Sequence, residues 1–317
     1  MSNILVTGGS GFIGSRLVEV LRASGHRVRI LDLVVNPRFA DITIKGDVAD
    51  PVVVSMAMEG ITEVFNLAAQ HRDDVRPVSR YYETNVQGMR VLCREMERQR
   101  VRKMTFTSSV AVYGFDTNDC AEDGETLPDN DYGRSKLQAE LELRSWQSRH
   151  PDNVALVIRP CAVFGPGNRG NIFNLLAQVM SGRFLMIGNG TNQKSIAFVD
   201  NVVEALVFLS RLNQTTIVNY ADKPDMSMNE LVSTICLAGS RAAPRLRLPR
   251  AAGTMVGCLL DVVAACLGRT FPLSRVRVRK FCANSVVNAE RIHSLGFRAQ
   301  VSLKEGILQT VRAEFLR

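Results

Sequence analysis

Residues 4–14 read ILVTGGSGFIG, an apolar strand that breaks into a glycine-rich turn. Gly8, Gly11 and Gly14 stand three apart, so the backbone can turn tightly and a pyrophosphate can approach bare N–H groups at the start of a helix. An amphipathic helical pattern follows, and then a second predicted strand, Val28 to Leu31. A glycine triplet placed between a strand and a helix indicates a dinucleotide-binding turn.

Asp32 closes the second predicted strand, 18 positions after Gly14. An acidic side chain at this place suits the two ribose hydroxyls of NAD and would repel the additional phosphate of NADP. The sequence therefore predicts NAD as the cofactor. The alternative is a structural turn followed by an unrelated surface carboxylate. The position of Asp32, its spacing from the glycines and the hydrophobic periodicity of the flanking strand and helix all favour the cofactor site.

The first half of the chain alternates strands and helices at the pitch of repeated strand–helix–strand units. This alternation predicts an α/β fold, a doubly wound parallel-sheet Rossmann fold with a smaller C-terminal substrate lobe. We expect the Rossmann part to cover 1–160 and 191–221, and the lobe to cover 161–190 and 222–317. The later strands are predicted at Ile42–Lys45, Glu63–Leu67, Lys103–Thr107 and Val154–Ile158, with helices near 52–58, 78–99 and 131–149.

Ligands of such sheets bind beyond the carboxyl ends of the strands. Gly8, Ala68, Ser108 and Ser109 all fall at predicted strand ends. The small side chains of Ala68 and Ala69 would also let a cofactor lie close to the backbone. We therefore expect the active site at this edge of the sheet.

The chain of 317 residues has a net charge of +8, and the excess of basic residues is concentrated in one segment. Between Arg241 and Lys280, nine basic residues stand against one acid, Asp261. Such a cluster suits a nucleotide diphosphate, an anionic membrane surface or plain solvent. Nucleic acid is not expected as a partner, because the cluster lacks interleaved aromatic residues and a recognisable nucleic-acid-binding motif.

The seven cysteines are scattered and form neither a C-x-x-C motif nor a cluster with histidines at metal spacing. Neither disulfides nor a metal site are expected. The first strand begins almost at Met1, which leaves no room for a secretory signal peptide, so a cytoplasmic location is expected.

The candidate chemistry is carried by Tyr132 and Lys136, which are four residues apart on a predicted helix. One turn of helix places both side chains on one face. A phenol has a reference pKa of about 10, but a neighbouring ammonium and the positive nicotinamide ring stabilise the phenolate and bring it into the working range of a base. Ser109, at the end of the fifth strand, could hydrogen-bond the same substrate oxygen.

Several motifs together carry a family resemblance. They are the glycine turn, Asp32, Asp47-Val48, Asn-Leu-Ala-Ala at 66–69, Ser-Ser-Val-Ala-Val-Tyr-Gly at 108–114, the Tyr132/Lys136 pair and the segment 159–166. The chain resembles the extended short-chain dehydrogenase/reductase family over most of its first 205 residues. Within that family it is most similar to the NAD-dependent epimerase/dehydratase group, which includes nucleotide-sugar epimerases, dehydratases and 4-keto reductases.

The resemblance implies a role for each matching residue. Asp47 and Val48 would contact adenine, Lys136 would hold the nicotinamide ribose, and Ser109 and Tyr132 would act on the C4 oxygen of the sugar. The residues expected at the cofactor are Gly8, Gly11, Phe12, Ile13, Gly14, Asp32, Asp47, Val48, Leu67, Ala68, Ala69 and Lys136. The residues expected at the substrate are Ser108, Ser109, Asn171 and Lys194, of which Lys194 would reach the diphosphate.

Two departures from the family pattern limit which reaction and which sugar are expected. Val110 and Ala111 follow Ser109 where the dehydratases carry an acid pair, and neither can transfer a proton, so elimination of water is not expected. Ala162 stands where many hexose epimerases have an asparagine that touches the substrate. The run 165–171 looks more like members that act on acetamido or deoxy sugars of surface polysaccharides.

Two segments of the C-terminal part have patterns that predict helices. Ser227 and Glu230 form a capping box for a helix that reaches Ala238. Residues 251–268 are nearly all apolar or small and are flanked by arginines, which raises a membrane contact as an alternative to a lobe helix. Because Asp261 stands in the middle of this segment, the lobe helix is preferred.

The leading functional hypothesis is an NAD-dependent 4-epimerase of a nucleoside-diphosphate sugar, favouring UDP-hexose or UDP-N-acetylhexosamine, in polysaccharide synthesis. Three alternatives stay open: an NAD(P)H-dependent 4-keto reductase of a UDP-6-deoxy-4-keto sugar, a membrane-associated hydroxysteroid-type dehydrogenase and a non-catalytic dinucleotide sensor. A homodimer is expected from the family, through the helices predicted at 78–99 and 131–149.

Overall fold

A computed structural model describes residues 1–72, 75–115, 117–244, 246–267 and 274–316, without the side chains of 262 and 264–267. Its largest element is a parallel sheet of seven strands. The strands of the described chain, in order, are β1 Asn3–Thr7, β2 Arg27–Asp32, β3 Thr43–Lys45, β4 Glu63–Asn66, β5 Lys103–Thr107, β6 Thr117–Cys120, β7 Val154–Pro160, β8 Ala162–Phe164, β9 Met186–Ile187, β10 Gln193–Lys194, β11 Ile196–Phe198, β12 Thr216–Tyr220, β13 Met226–Ser227, β14 Arg247–Leu248 and β15 Ser285–Val287.

Helices pack on both faces of the large sheet and build most of the remainder. In chain order they are α1 Phe12–Ala23, α2 Pro51–Met58, α3 Ser79–Tyr82, α4 Gly88–Gln99, α5 Asp131–Ser148, α6 Asn171–Met180, α7 Val199–Ser210, α8 Met228–Ala238, α9 Arg250–Leu267, α10 Arg275–Cys282, α11 Glu290–Ser294 and α12 Leu303–Phe315.

The sheet order is β12-β7-β5-β4-β1-β2-β3, and each neighbouring pair is parallel. The chain leaves β1 toward β2 and β3 and returns to β4 on the other side of β1, so the strand order reverses between β1 and β4. This reversal is the point where ligands of doubly wound sheets bind. The predicted doubly wound Rossmann fold is confirmed.

Two apolar clusters cover the two faces of this sheet. One packs α1 and α7 against it and includes Leu17 and Leu206, and the other packs α2, α4 and α5 and includes Leu92 and Trp146. Each of these four side chains is fully buried. The helices are therefore held by burial of one apolar stripe each, and α5, which carries Tyr132 and Lys136, is fixed to the sheet by Trp146 and its neighbours.

Local signals explain several helix boundaries. The side chain of Asp50 accepts hydrogen bonds from two backbone N–H groups at the start of α2, and Pro51 occupies its first position. The predicted capping box is present at α8, where Ser227 and Glu230 exchange hydrogen bonds.

The long helix predicted at 78–99 differs in one respect. A π-helical turn, Glu83–Gln87, separates α3 from α4. Within it the buried side chain of Asn85 reaches out to two other segments, described below, and a widened turn is a common way to aim one side chain at a functional site.

The C-terminal part forms a third apolar cluster with smaller sheets. β13, β10, β15 and β6 make one sheet, and α8 and α12 pack beside it around Leu231 and Ile307. The apolar segment predicted at 251–268 is helical as α9 up to Leu267, and Gly268 lies outside the described residues. No helix among the described residues is long and apolar enough to cross a membrane.

One buried carboxyl makes the stability of this fold depend on pH. Burial raises the pKa of Glu63, at the start of β4, from 4.5 to about 7, although the charge of Lys103 opposes the shift. The unfolded chain therefore releases this proton at a lower pH than the folded chain. The stability that Glu63 contributes is complete below pH 4.5 and is lost as the pH rises through about 7.

We predict that Glu63→Gln is more stable than the wild type at pH 8 by about 1–3 kcal/mol, because the amide needs no proton to be buried. The difference should grow between pH 4.5 and about 7 and stay constant above. Urea unfolding at several pH values measures it, with the exposed Glu125→Gln as control. A difference that does not vary with pH would contradict the assignment.

Candidate active site

The glycine-rich turn after β1 lies against the end of β4. Gly8 has a φ of 71°, and a Cβ added there would lie 2.7 Å from the backbone nitrogen of Ala68 and 2.8 Å from the carbonyl carbon of Leu67. The N–H of Gly8 donates to the carbonyl of Leu31 at 2.9 Å. Only glycine fits both the dihedral angle and the space, so bare backbone lines the switch point between β1 and β4.

Asp32 lies beside this turn, as its position in the sequence predicted. One carboxylate oxygen accepts from the N–H of Ser10 at 3.0 Å, and the other accepts from the N–H of Val34 at 3.0 Å. Each oxygen keeps acceptor capacity for a further donor. The carboxylate is thus held at the mouth of the turn, where it can accept from ribose hydroxyls, and these residues fit NAD.

Four further predicted cofactor residues lie at the start of α1 and shortly after β3. Phe12 and Ile13 are the first residues of α1, which begins where the turn ends. Asp47 caps a tight turn by accepting from the N–H of Ala49 at 2.9 Å, whereas the side chain of Val48 is buried in the core. A contact of Val48 with adenine would therefore use its backbone.

A hydrogen-bonded path joins the end of β4 to α5. Asn85 is buried, its side-chain oxygen accepts from the N–H of Gln70 at 2.9 Å, and its amide group donates to Ser135 at 2.8 Å. Ser135 in turn donates to the carbonyl of Tyr132 at 2.8 Å. Asn85 thus fixes the segment after Ala69 relative to Tyr132. The sequence analysis missed it, because a single polar residue on a helix gives no periodic signal.

The end of β5 presents two neighbouring serines with different partners. The hydroxyl of Ser108 is buried and donates to the carboxylate of Glu140 on α5. The hydroxyl of Ser109 accepts from the N–H of Ala111 at 3.1 Å and caps a short 3-10 helix, Val110–Tyr113. Ser109 is partly exposed. Ser109, rather than Ser108, therefore has the hydroxyl available to a substrate.

The same 3-10 helix packs against the start of α5. Gly133 is buried, and a Cβ there would lie 3.1 Å from the carbonyl carbon of Ala111. This close approach seats the segment after Ser109 beside Tyr132, which is partly buried. The structure therefore brings the backbone segments that carry Ser109 and Tyr132 together at the carboxyl edge of the sheet.

Lys136 lies one turn beyond Tyr132 and is 2% exposed. Its ammonium nitrogen donates to the carbonyl of Thr107 at 2.8 Å and stands 4.8 Å from the ring centroid of Phe106. Burial lowers its pKa from 10.5 to about 7, and the charge of Glu140 opposes this shift. An ionisable side chain whose pKa is strongly shifted by burial marks a candidate functional site.

Beneath these residues lies a buried ion pair. The guanidinium of Arg159, at the end of β7, donates to both carboxylate oxygens of Glu140 at 2.9 and 2.6 Å. Arg159 also donates to the hydroxyl of Tyr113 at 2.6 Å, and this hydroxyl donates to Asn219 on β12 at 2.8 Å. The network therefore connects α5 with the ends of β5, β7 and β12. Glu140 was not predicted, although it stands one turn after Lys136.

The two remaining predicted substrate residues lie on other elements. Asn171 is the first residue of α6 and is exposed. The ammonium of Lys194, on β10, donates to the carbonyls of Lys280 at 3.0 Å and Ala283 at 2.7 Å. Lys194 thus lies against the end of α10, and its role toward a diphosphate stays a prediction.

Several known proteins are similar to this chain in sequence. Residues 4–220 match the family model described as "NAD dependent epimerase/dehydratase family". The chain is 41% identical, over 99% of its length and 96% of the relative, to "N-acetyl-alpha-D-glucosaminyl-diphospho-ditrans,octacis-undecaprenol 4-epimerase" of Escherichia coli O157:H7. It is 27% identical, over 98% of its length and 95% of the relative, to "UDP-glucose 4-epimerase" of Vibrio cholerae.

A solved structure covers the whole fold. "MoeE5 in complex with UDP-glucose and NAD" is 26% identical and superposes with a TM-score of 0.78 over 98% of each chain. The similarity extends through both the Rossmann sheet and the C-terminal part, so this chain shares the fold of that protein over almost its full length.

We predict that the chain binds NAD(H) at least about tenfold more tightly than NADP(H), which corresponds to about 1.4 kcal/mol, because Asp32 would repel the 2′-phosphate. Asp32→Ser should reduce this preference by about tenfold, whereas the exposed Asp41→Asn should leave it unchanged. Fluorescence titration measures both. Equal binding of NAD(H) and NADP(H) by the wild type would show that Asp32 does not discriminate between the two cofactors.

Proposed function

The chain belongs to the NAD-dependent epimerase/dehydratase family, and we propose that it epimerises C4 of an N-acetylhexosamine carried on a polyprenyl diphosphate. It is an enzyme, and its cofactor is NAD. The observation that carries the proposal is the similarity to the lipid-linked 4-epimerase of E. coli O157:H7, at 41% identity over almost the full length of both chains. The chain is accordingly an NAD-dependent 4-epimerase, and the proposal concerns what carries the sugar.

A UDP-linked sugar is the second candidate. The similarity to the V. cholerae UDP-glucose 4-epimerase and to MoeE5 with bound UDP-glucose favours it. Both candidates are sugars joined to a carrier through a diphosphate, so the chemistry at C4 is the same. They differ in whether a nucleoside or an isoprenoid chain lies beyond the phosphates.

Each residue of the site has a separate role in the proposed reaction at C4. When bound, NAD supplies the oxidation of C4 and its subsequent reduction. We assign to Tyr132 the removal and return of the proton of the C4 hydroxyl, and to Ser109 a hydrogen bond to the same oxygen. The backbone of the glycine turn and Asp32 would hold the dinucleotide at the edge of the sheet where these side chains stand.

Lys136 supports Tyr132 electrostatically. A positive charge one turn away stabilises the phenolate and lowers the pKa of the phenol. Burial works against this charge, but the carboxylate of Glu140 favours it. We therefore assign Lys136 to lowering the pKa of Tyr132 and to contacting the nicotinamide ribose.

We predict that Tyr132→Phe lowers turnover by about 10² or more while NAD binding is kept, because one hydroxyl that transfers the proton is lost. The substrates are N-acetylglucosaminyl diphosphate on a short water-soluble prenol and UDP-N-acetylglucosamine. Epimer formation is measured by chromatography of the released sugars.

The matched control is Tyr82→Phe, which removes a phenol on α3 that donates to Asp131 of α5 at 3.0 Å. It should keep turnover within about twofold of the wild type. If Tyr132→Phe retains more than about a tenth of the wild-type rate, the assignment of the proton to Tyr132 is wrong. If the wild type turns over only the UDP-sugar, the lipid-linked substrate is wrong and the second candidate stands.

We also propose that the enzyme works as a homodimer in the cytoplasm. α4 and α5 lie side by side on one face of the sheet and are joined by an ion pair between Arg90 and Glu142 at 2.7 Å. Leu141 on α5 is 56% exposed, which suits a partner helix at this face.

The prediction is that light scattering gives the mass of a dimer for the wild type and of a monomer for Leu141→Glu, because a charge buried between two helices is costly. Leu237→Glu is the control, since Leu237 is 81% exposed on α8, which packs in the third apolar cluster in the C-terminal part of the chain. A monomeric wild type at micromolar concentration would contradict the proposal.

A further inference from the structure

The segment 165–170, which we call the β8–α6 loop, lies between the helix after the glycine turn and the C-terminal part. It joins β8 to α6, whose first residue is Asn171, one of the predicted substrate residues. Gly165 opens the loop with a φ of 155°, and a Cβ there would overlap the side chain of Val199 and lie 3.5 Å from Cζ of Phe12. Since Phe12 begins α1, the loop starts directly beside that helix.

Arg16, on the second turn of α1, holds this loop to the helix. Its guanidinium donates to the carbonyl of Pro166 in the loop, and its Nε lies 3.1 Å from the carboxylate of Asp200, in the first turn of α7. The same guanidinium stands 4.9 Å from the ring centroid of Phe12. One side chain therefore joins α1, the β8–α6 loop and α7.

The far side of the loop is held by α12 and α6. Oε1 of Glu314 accepts from the N–H of Gly167 at 2.6 Å, and Oε2 lies 3.1 Å from the guanidinium of Arg169. Arg169 lies over the ring of Phe173 on α6, 4.3 Å from its centroid, and Phe173 stacks on Phe315 with centroids 5.6 Å apart. The β8–α6 loop is thus the bonded connection between α1 and these two helices of the C-terminal part.

Apolar packing between the two parts gives the loop less direction than these bonds do. Phe12 and Ile13 pack against the third apolar cluster, but both are only partly buried. Apolar burial is also non-directional, so it allows small displacements of one part over the other. A guanidinium donates in fixed directions, and Arg16 therefore defines where the loop lies relative to the glycine turn.

From these contacts we propose that Arg16 is a positioning residue that holds the β8–α6 loop, and with it the start of α6, in the conformation that binds the substrate. The proposal rests on the proposed function, in which the substrate is a sugar diphosphate. Without Arg16, only a fraction of the molecules would have the loop in place, and the apparent affinity for the substrate would fall by that fraction. Bound substrate would restore the loop, so the chemistry at C4 would change little.

The exposure of the ion pair indicates that this role can be tested without unfolding the protein. The side chain of Arg16 is 25% exposed and that of Asp200 is 50% exposed. Such a pair contributes little to the stability of a fold. We therefore expect Arg16→Ala to fold, and circular dichroism checks this.

The first test is steady-state kinetics of Arg16→Ala with UDP-N-acetylglucosamine and with the short-prenol substrate. For whichever of the two the wild type turns over, KM should rise at least about tenfold while kcat stays within about threefold, because only the binding-competent fraction changes. NAD affinity, measured by fluorescence titration, should stay within about threefold. The matched control is Arg22→Ala, an exposed arginine on the last turn of the same helix, which should keep the KM of the wild type.

Two further variants separate the contacts of Arg16. Asp200→Asn removes the ion pair but keeps the bond to Pro166, and should raise KM by less than about threefold. Arg16→Lys keeps a positive charge, but an ammonium lacks the fork that reaches both partners, so its KM should lie between those of the wild type and Arg16→Ala.

Hydrogen exchange of the NAD-bound protein tests the loop without turnover. The N–H of Gly167 donates to Glu314 and should be protected in the wild type. Arg16→Ala should speed exchange in peptides that cover 165–170 at least about tenfold, whereas peptides from β1 and β4 should exchange as in the wild type.

Three results would overturn the positioning role. They are a KM for Arg16→Ala within about twofold of the wild type, the same rise in KM for Arg22→Ala, and unchanged exchange of 165–170 in Arg16→Ala. If the wild type turned over neither sugar diphosphate, the proposed function would be refuted, and hydrogen exchange alone would decide whether Arg16 positions the loop.

Discussion

The buried pair of Glu140 and Arg159 is the interaction on which the candidate site depends most. Both side chains are about 95% buried, and the carboxylate is satisfied by two bonds from the guanidinium and one from Ser108. Removing either partner would leave an unpaired buried charge, at a cost of about 3–5 kcal/mol. Because Glu140 belongs to α5, which also carries Tyr132 and Lys136, the pair fixes this helix to the strand ends where Ser109 and the glycine turn are located. The same carboxylate favours the charged form of Lys136 in a setting where burial opposes it.

The sequence was sufficient for the sheet and for the cofactor turn. Strands buried on both faces read as continuous apolar runs, and the glycine triplet with Asp32 is a local pattern with one strong structural meaning, so β1, β2, β4 and β5 lie within a residue or two of their predicted positions. The Tyr132/Lys136 pair could also be predicted from a local pattern, because two residues four positions apart on a helix lie on the same face. The resemblance to the epimerase family then supplied the reaction.

Other features could not be read because they depend on contacts between distant segments. Asn85 joins Gln70 to Ser135, and Arg159 joins β7 to α5, β5 and β12, and neither contact leaves a periodic trace in the sequence. The hydroxyl of Ser108 was predicted at the substrate, whereas tertiary packing directs it to Glu140. The carboxylate of Asp261, which interrupts an apolar segment of the sequence, accepts a hydrogen bond from the backbone at the start of α10. In each case the partner is far away in the chain, and only the folded structure identifies it.

We propose that the enzyme oxidises and then reduces C4 of its substrate with the same bound NAD, and that Tyr132 transfers the proton of the C4 hydroxyl. The most direct measurement uses an N-acetylglucosaminyl diphosphate prenol labelled with deuterium at C4, incubated with the purified enzyme and no added cofactor. The account predicts that the C4 epimer forms and keeps the deuterium at C4, because the transferred hydrogen returns to the carbon from which it came. Loss of the label to solvent, or formation of product only when NADPH is added, would contradict it.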